Sequence, residues 1–229
     1  MILFANGCSW TWGGGLEPCF NTEEERLALC WPHHLKEKLG YSEVVNLGLG
    51  GGSNQRIIRT TLEWLQTRGP QELSETVAII QLTESSRFEY YQPEIDEWAR
   101  CKVDQCIQNT ESESKAVQRT NHRLETFTEI EGTFSILTTI FALTKMFEIF
   151  GVKKYFFWSL HGVNFEFFNS LRTLNSIELV DLPNLQGGCG TWDYEIIGRL
   201  PSGHIDYHPS ITGHKQIADI IFEKIQSRL

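Results

Sequence analysis

Ile2-Leu3-Phe4-Ala5-Asn6-Gly7-Cys8-Ser9 opens the chain with four consecutive apolar residues that stop at an Asn-Gly pair. A short apolar run without polar alternation, ended by turn formers, is the pattern of a strand covered on both faces. The same grammar returns at Glu43-Val44-Val45-Asn46 before Gly48, at Thr76 to Leu82 before a polar segment, and at Lys154 to Leu160 before His161-Gly162. Strands buried on both sides belong to parallel sheets, whose successive strands are joined by covering helices.

The intervening segments supply those helices. Trp31 to Leu39 ends at Gly40, placed to close a helix in a left-handed conformation, and Ser53 to about Leu65 puts Ile57, Ile58, Thr61, Leu62 and Leu65 on one face. Ile136, Ile140, Leu143, Phe147 and Phe150 step along a third helix, with Phe134, Leu137 and Phe141 as a neighbouring stripe. Apolar over so much of its circumference, that helix is expected to be well buried. The last helix follows Pro209, with Ser210 as its N-cap and Ile217, Ile220, Ile221 and Ile225 along one side. The alternation predicts a three-layer α/β/α fold around a parallel sheet of about five strands, in one domain spanning 1–229. Gln108 to Arg123 has almost no apolar residues and reads as part of a polar insertion or lid around 100–125, and Pro183 to Gly203 is rich in turn formers.

With 41% hydrophobic residues the chain can build a core, which excludes disorder. A net charge of −9 argues against nucleic acid or an anionic membrane as the main partner. Cys8, Cys19, Cys30, Cys101, Cys106 and Cys189 form no C-x-x-C pair and no secretory signal precedes them, so the expectation is reduced thiols in the cytoplasm. Phe134 to Val152 is interrupted by Lys145 and Glu148, so it is expected to be a helix of the soluble domain rather than a membrane span. Oligomeric state has no sequence signature here.

In an open parallel sheet, ligands bind beyond the carboxyl ends of the strands. The loops at that end read Asn6-Gly7-Cys8-Ser9-Trp10-Thr11-Trp12-Gly13-Gly14-Gly15 and Asn46-Leu47-Gly48-Leu49-Gly50-Gly51-Gly52-Ser53-Asn54, and the tail offers His204-Ile205-Asp206-Tyr207-His208-Pro209. These are the parts of acyl transfer. A serine hydroxyl needs a base, histidine titrates near neutrality, a carboxylate fixes the imidazole tautomer, and glycines let backbone amides approach an oxyanion. In extended chain, Asp206 and His208 share a side. Other readings exist for each part: Ser9 as a turn serine, Cys8 as the nucleophile, Gly50 to Ser53 as a phosphate cradle, and His204, Asp206, His208 and His214 as metal ligands. The glycine run has neither a Walker lysine nor the dinucleotide pattern, and no distant cluster completes a metal set, so neither cofactor nor metal is expected. Trp10, Trp12 and Trp192 either line a sugar cleft or pack the loops; Arg87, at the end of a strand, suits an acidic substrate group.

Taken in order, these blocks resemble the SGNH (GDSL-like) hydrolases, a flavodoxin-like α/β family of esterases, lipases and carbohydrate acetylesterases. Gly7-Cys8-Ser9, followed by Thr11 and Gly13, is similar to the family's G-D-S block, Asn46-Leu47-Gly48-Leu49-Gly50-Gly51 to N-x-G-x-x-G, and Asp206-Tyr207-His208-Pro209 to D-x-x-H-P. The resemblance implies Ser9 as nucleophile, His208 as base, Asp206 as its orienting carboxylate, and the Ser9 and Gly51 amides as oxyanion donors. Cys8 replaces the family's Asp, and Asp206 precedes the histidine by two residues instead of three. The G-x-N-D block is absent: Gln81-Leu82-Thr83-Glu84-Ser85-Ser86-Arg87 stands there, leaving Thr83, Ser85 or Arg87 to supply the third donor. With Trp10, Trp12 and Asn54 these are the candidate substrate contacts. The resulting expectation is a serine esterase for small acyl esters, such as carbohydrate O-acetyl groups, working without a cofactor. The alternatives are an O-acyltransferase and a binding protein that keeps the fold with an impaired site.

Overall fold

A computed structural model describes residues 1–16, 21–93, 96–102, 105–106, 128–159, 197–199 and 205–229. Strands β1 (Ile2–Asn6), β2 (Glu43–Asn46), β3 (Thr76–Leu82) and β7 (Lys154–Ser159) form a parallel sheet of four described strands in the order β2-β1-β3-β7. From β1 the chain steps to one side and then crosses back to the other, so strand order reverses at β1, and a crevice is expected at its carboxyl end.

Side-chain alternation along the strands divides the core in two. Leu3, Ala5, Val77, Ile79, Phe156 and Trp158 pack on one face against Trp31 and Leu35 of α3 (Trp31–Leu39) and Ile217, Ala218, Ile221 and Ile225 of the last helix, α7 (Ile211–Ile225). Ile2, Phe4, Ala78, Ile80 and Phe157 pack on the other face against α4 (Asn54–Gln66) and the long helix α6 (Glu129–Phe150). Short helices α1 (Ser9–Trp12), α2 (Glu23–Leu29) and α5 (Pro70–Ser74) and a 3-10 turn at Gln226–Arg228 complete the described helical segments. The predicted caps form: Ser53 and Ser210 accept backbone N–H groups of Arg56 and Gly213 at 3.1 Å, and Gly40 closes α3 with φ +66°.

Two elements differ from the sequence reading. Helix α6 is not covered all round: Ile136, Ile140, Leu143 and Phe147 are buried, while Phe134, Phe141 and Ile149 are 66%, 46% and 79% exposed. Periodicity reveals two apolar stripes, but only one can meet a flat sheet. The segment Glu131–Phe150 is long and apolar enough to cross a membrane by length and composition, although its inner stripe packs on the sheet. The segment after β3 is also more than a polar connection. It builds a three-stranded antiparallel sheet from β4 (Arg87–Gln92), β5 (Glu97–Lys102) and β6 (Gln105–Cys106). Arg59 of α4 anchors it through a two-pronged pair with Glu89 at 2.9 Å and lies over the Trp98 ring. The rest of the insertion predicted around 100–125 lies outside the described residues, as do 160–196, which include Trp192.

Candidate active site

Asn6 ends β1 by tying it sideways. Its side-chain amide donates to Thr60 and Thr61 Oγ1 at 2.9 and 3.0 Å, and its Oδ1 accepts the Gly7 amide at 2.9 Å. The chain then turns directly into α1, whose first residue is Ser9. The Ser9 carbonyl accepts the amides of Gly13 and Gly14 at 2.8 and 2.7 Å, and Gly13 makes the turn at φ +102°. Behind this helix stands Arg26, 2% exposed, which donates to the Trp12 carbonyl, pairs with Glu23 and lies 4.8 Å from the Trp12 ring centroid. The Cys30 thiol donates to the same carbonyl at 3.1 Å, and burial pushes its pKa up to about 12, which keeps it protonated as a donor.

The glycine loop after β2 packs against α1 at van der Waals limits. A Cβ on Gly48 would stand 2.5 Å from the Trp12 nitrogen and 2.8 Å from the Thr11 carbonyl carbon. Asn46 fixes the loop's entry, donating to the Thr11 carbonyl at 2.7 Å and accepting the Gly48 amide at 2.9 Å. Asn54, at the start of α4, exchanges two hydrogen bonds with the backbone of Thr83, at 2.9 and 3.0 Å, and so fastens the exit of β3.

His208 arrives from the far end of the chain on β9 (Ile205–Pro209), which pairs antiparallel with β8 (Ile197–Arg199) and touches α1. Gly14 records how close it comes. A Cβ built there would lie 3.0 Å from Ser9 Cβ, 3.0 Å from His208 Nε2 and 2.8 Å from His208 Cδ2. Ser9 Cβ and His208 Nε2 are therefore no more than about 6 Å apart, with the missing side chain of Gly14 between them. Asp206 lies on the same strand; its side chain and that of His204 lie outside the described residues.

Beneath His208 sits His214, fully buried on α7, whose Nδ1 accepts the Trp31 amide at 3.1 Å. Its proton therefore resides on Nε2, which has no partner among the described residues. Burial, followed by the positive fields of His34 and His208, lowers its pKa to about 3. No group of three or more His, Cys, Asp or Glu side chains suited to a metal occurs among the described residues.

The remaining predicted residues take different places. Trp10 is buried in the core, and Trp12 lies under Arg26. The Cys8 thiol accepts from the Ser9 hydroxyl at 4.0 Å. Asn54 and Thr83 are buried, and the Thr83 hydroxyl has no partner among the described residues. Ser85 lies in the turn leading to β4, and Arg87 faces Glu84 at 3.4 Å. Sequence reading missed Gly14, Arg26, His214 as a support, and Arg100, which reaches from β5 to the Gly50 carbonyl. None carries a local signature, because each acts through partners far along the chain.

Residues 16–191 match the model of a family described as being of unknown function, DUF6071. The chain belongs to DUF6071. The span of the match leaves Ser9 and His208 outside it. No curated protein matches the sequence. Among solved structures, this DUF6071 member is similar to a member of the lipolytic protein G-D-S-L family from Veillonella parvula DSM 2008, at 15% identity over 100% of each chain and TM-score 0.52. It is similar to the psychrotrophic esterase EstA from Pseudoalteromonas sp., in a form inhibited by monoethylphosphonate, at 12% identity over 99% of this chain and 97% of that one, TM-score 0.53. It is similar also to an acetyl xylan esterase, Est2A, from the rumen bacterium Butyrivibrio proteoclasticus, at 11% identity over 99% of this chain and 63% of that one, TM-score 0.54. At these identities the likeness establishes the fold, which is that of the SGNH (GDSL-like) hydrolases.

Proposed function

We propose that this protein is a serine esterase that cleaves small acyl esters through an acyl-enzyme. Ser9 Oγ adds to the ester carbonyl carbon while His208 takes its proton; the carbonyl π pair becomes an oxyanion held by the Ser9 and Gly51 amides. Collapse breaks the ester C–O bond, and His208 returns the proton to the leaving alcohol. Water, activated by the same imidazole, releases the acid, with Asp206 orienting the ring throughout. The observation that carries this reading is the convergence of Ser9 Cβ and His208 Nε2 on the space above Gly14. Similarity to a lipolytic G-D-S-L protein, an esterase and an acetyl xylan esterase supports hydrolysis of an ester, with carbohydrate-linked O-acetyl groups as the first substrates to try.

The deciding experiment is covalent labelling by a fluorophosphonate, whose fluoride is displaced by an activated serine oxygen. Wild-type protein is expected to be labelled at Ser9, with loss in Ser9→Ala, and kcat/KM on p-nitrophenyl acetate is expected to fall by about 100-fold or more in His208→Ala. A folded wild type that neither labels nor hydrolyses the ester overturns the enzymatic reading in favour of binding alone.

A further inference from the structure

The glycine loop uses up most of its own amides. The amides of Leu47, Gly48, Leu49 and Gly52 are taken by Ala5 O, Asn46 Oδ1, Gly7 O and Leu49 O at 2.8, 2.9, 3.2 and 2.9 Å. The Leu47 carbonyl accepts from Arg56 at 2.8 Å, and the Gly50 carbonyl accepts from the Arg100 guanidinium. Among the described residues, only the Gly50 and Gly51 amides of the loop from 47 to 52 have no acceptor. Two half-buried cations therefore hold one loop at close range, and the Arg56 pKa is lowered to about 10, first by burial and then by Arg59 and Arg100 among its neighbours. A loop that needed only rigidity would be held as well by neutral donors.

The Gly50 carbonyl and the Gly51 N–H belong to one peptide group. No peptide in the described residues is cis, so the two point in opposite directions. Whatever grips the carbonyl from β5 turns the N–H away from β5. A positive charge on the carbonyl oxygen also polarises the amide, making its N–H a stronger donor to an anion on the far side.

We infer that Arg100, delivered by the inserted β4–β5–β6 sheet, is a positioning residue that orients and polarises the Gly51 amide as an oxyanion donor. This rests on the reading of Ser9 and Gly51 proposed above. It gives the inserted sheet a part in the reaction: the sheet that follows β3, where the family's asparagine block is missing, strengthens a donor that is already present.

The test compares wild type, Arg100→Met and Arg100→Lys on p-nitrophenyl acetate and with a trifluoromethyl ketone, to whose carbonyl Ser9 Oγ would add to give a tetrahedral oxyanion. Loss of a whole oxyanion donor costs about 100- to 1000-fold in kcat, so loss of its orientation and polarisation is expected to cost about tenfold in Arg100→Met. KM should stay within about twofold, affinity for the ketone should weaken by the same factor as kcat, and Arg100→Lys should recover part of both. A kcat loss that the ketone affinity does not follow, or that lysine does not repair, marks a merely structural role and overturns the inference. If Arg100→Met does not fold, Arg100→Gln, a neutral donor, is expected to show the same parallel loss, and wild-type kcat in it overturns the inference. A wild type inert to fluorophosphonate removes the catalytic reading and this inference together; a labelled wild type matched by a fully active Arg100→Met removes this inference alone.

Discussion

The two walls of the proposed site are built in opposite ways. The wall made by α1 and the glycine loop is saturated at five carbonyls, those of Ser9, Trp12, Leu47, Leu49 and Gly50, which all have donors while the Gly50 and Gly51 amides stay open among the described residues, and side chains are reduced to hydrogen where backbones meet. The wall made by the exit of β3 is not. Gln81 Nε2, Thr83 Oγ1 and two nitrogens of Arg87 are buried without partners among the described residues, although Gln81 Oε1 accepts from Thr11 at 2.5 Å. Buried polar groups cost about 1–3 kcal/mol each when unpaired, and four such side-chain atoms gather at the exit of β3. The contrast separates the part of the proposed site that fixes geometry from the part with polar capacity to spare.

The largest expected effect concerns the support beneath the saturated wall. His214 is neutral in the fold down to about pH 3, whereas in the unfolded chain it titrates near 6.5. The unfolded state therefore binds the extra proton between these values, and stability falls as pH falls through that window, by on the order of 4–5 kcal/mol at its acid end. His34, lowered chiefly by burial and then by His33, pushes in the same direction. Denaturant melts of His214→Gln, which keeps an acceptor for the Trp31 amide, are expected to show a much flatter acid limb; an unchanged limb would mean that the first wall does not depend on a neutral imidazole.

Next comes Gly14→Ala. Its φ lies outside the positive range that disfavours side chains, so the methyl is tolerated by the backbone but projects between Ser9 Cβ and His208 Nε2 at 3.0 Å from each and 2.8 Å from His208 Cδ2, which makes the imidazole shift. Esterase kcat/KM is expected to drop by about 100-fold, close to 3 kcal/mol, with the thermal midpoint nearly unchanged. Full activity would show that the proton does not travel across that space. Gly48→Ala should do the reverse, since its Cβ meets backbone at 2.5 Å and backbone cannot rotate aside. A stability loss of about 1–3 kcal/mol by thermal or urea melting is expected, with activity falling only as far as α1 is displaced.

How far the chain announces this arrangement depends on the range of the interaction. The unalternating strands, the caps at Ser53 and Ser210 and the order of the Ser9, glycine and His208 blocks are local patterns and can be read directly. The Arg26 grip on Trp12 and the Arg100 grip on Gly50 are not local: an arginine seeking a backbone carbonyl fourteen or fifty positions away looks, in sequence, like any solvated arginine. Strands β4 to β6 escaped for a related reason, because their residues mix Arg, Glu and Tyr on a partly exposed sheet in place of the apolar runs of the core. Helix α6 shows the converse limit, since two apolar stripes in the sequence do not say which one the sheet will cover.

The smallest expected effect bears on the unsaturated wall itself. Thr83→Val keeps the side chain's volume and replaces a buried hydroxyl that has no described partner with a methyl group, so stability should hold or rise by up to about 1 kcal/mol. If that hydroxyl supplies the donor which the absent asparagine block leaves open, kcat should fall nonetheless, and the stability and the rate would move in opposite directions. Such a split cannot come from loosened packing, which lowers both. Unchanged kcat would instead leave Ser85 or Arg87 to face the substrate, and Arg87→Gln, assayed on esters with and without an acidic group, separates those two by whether KM rises for the acidic ester alone.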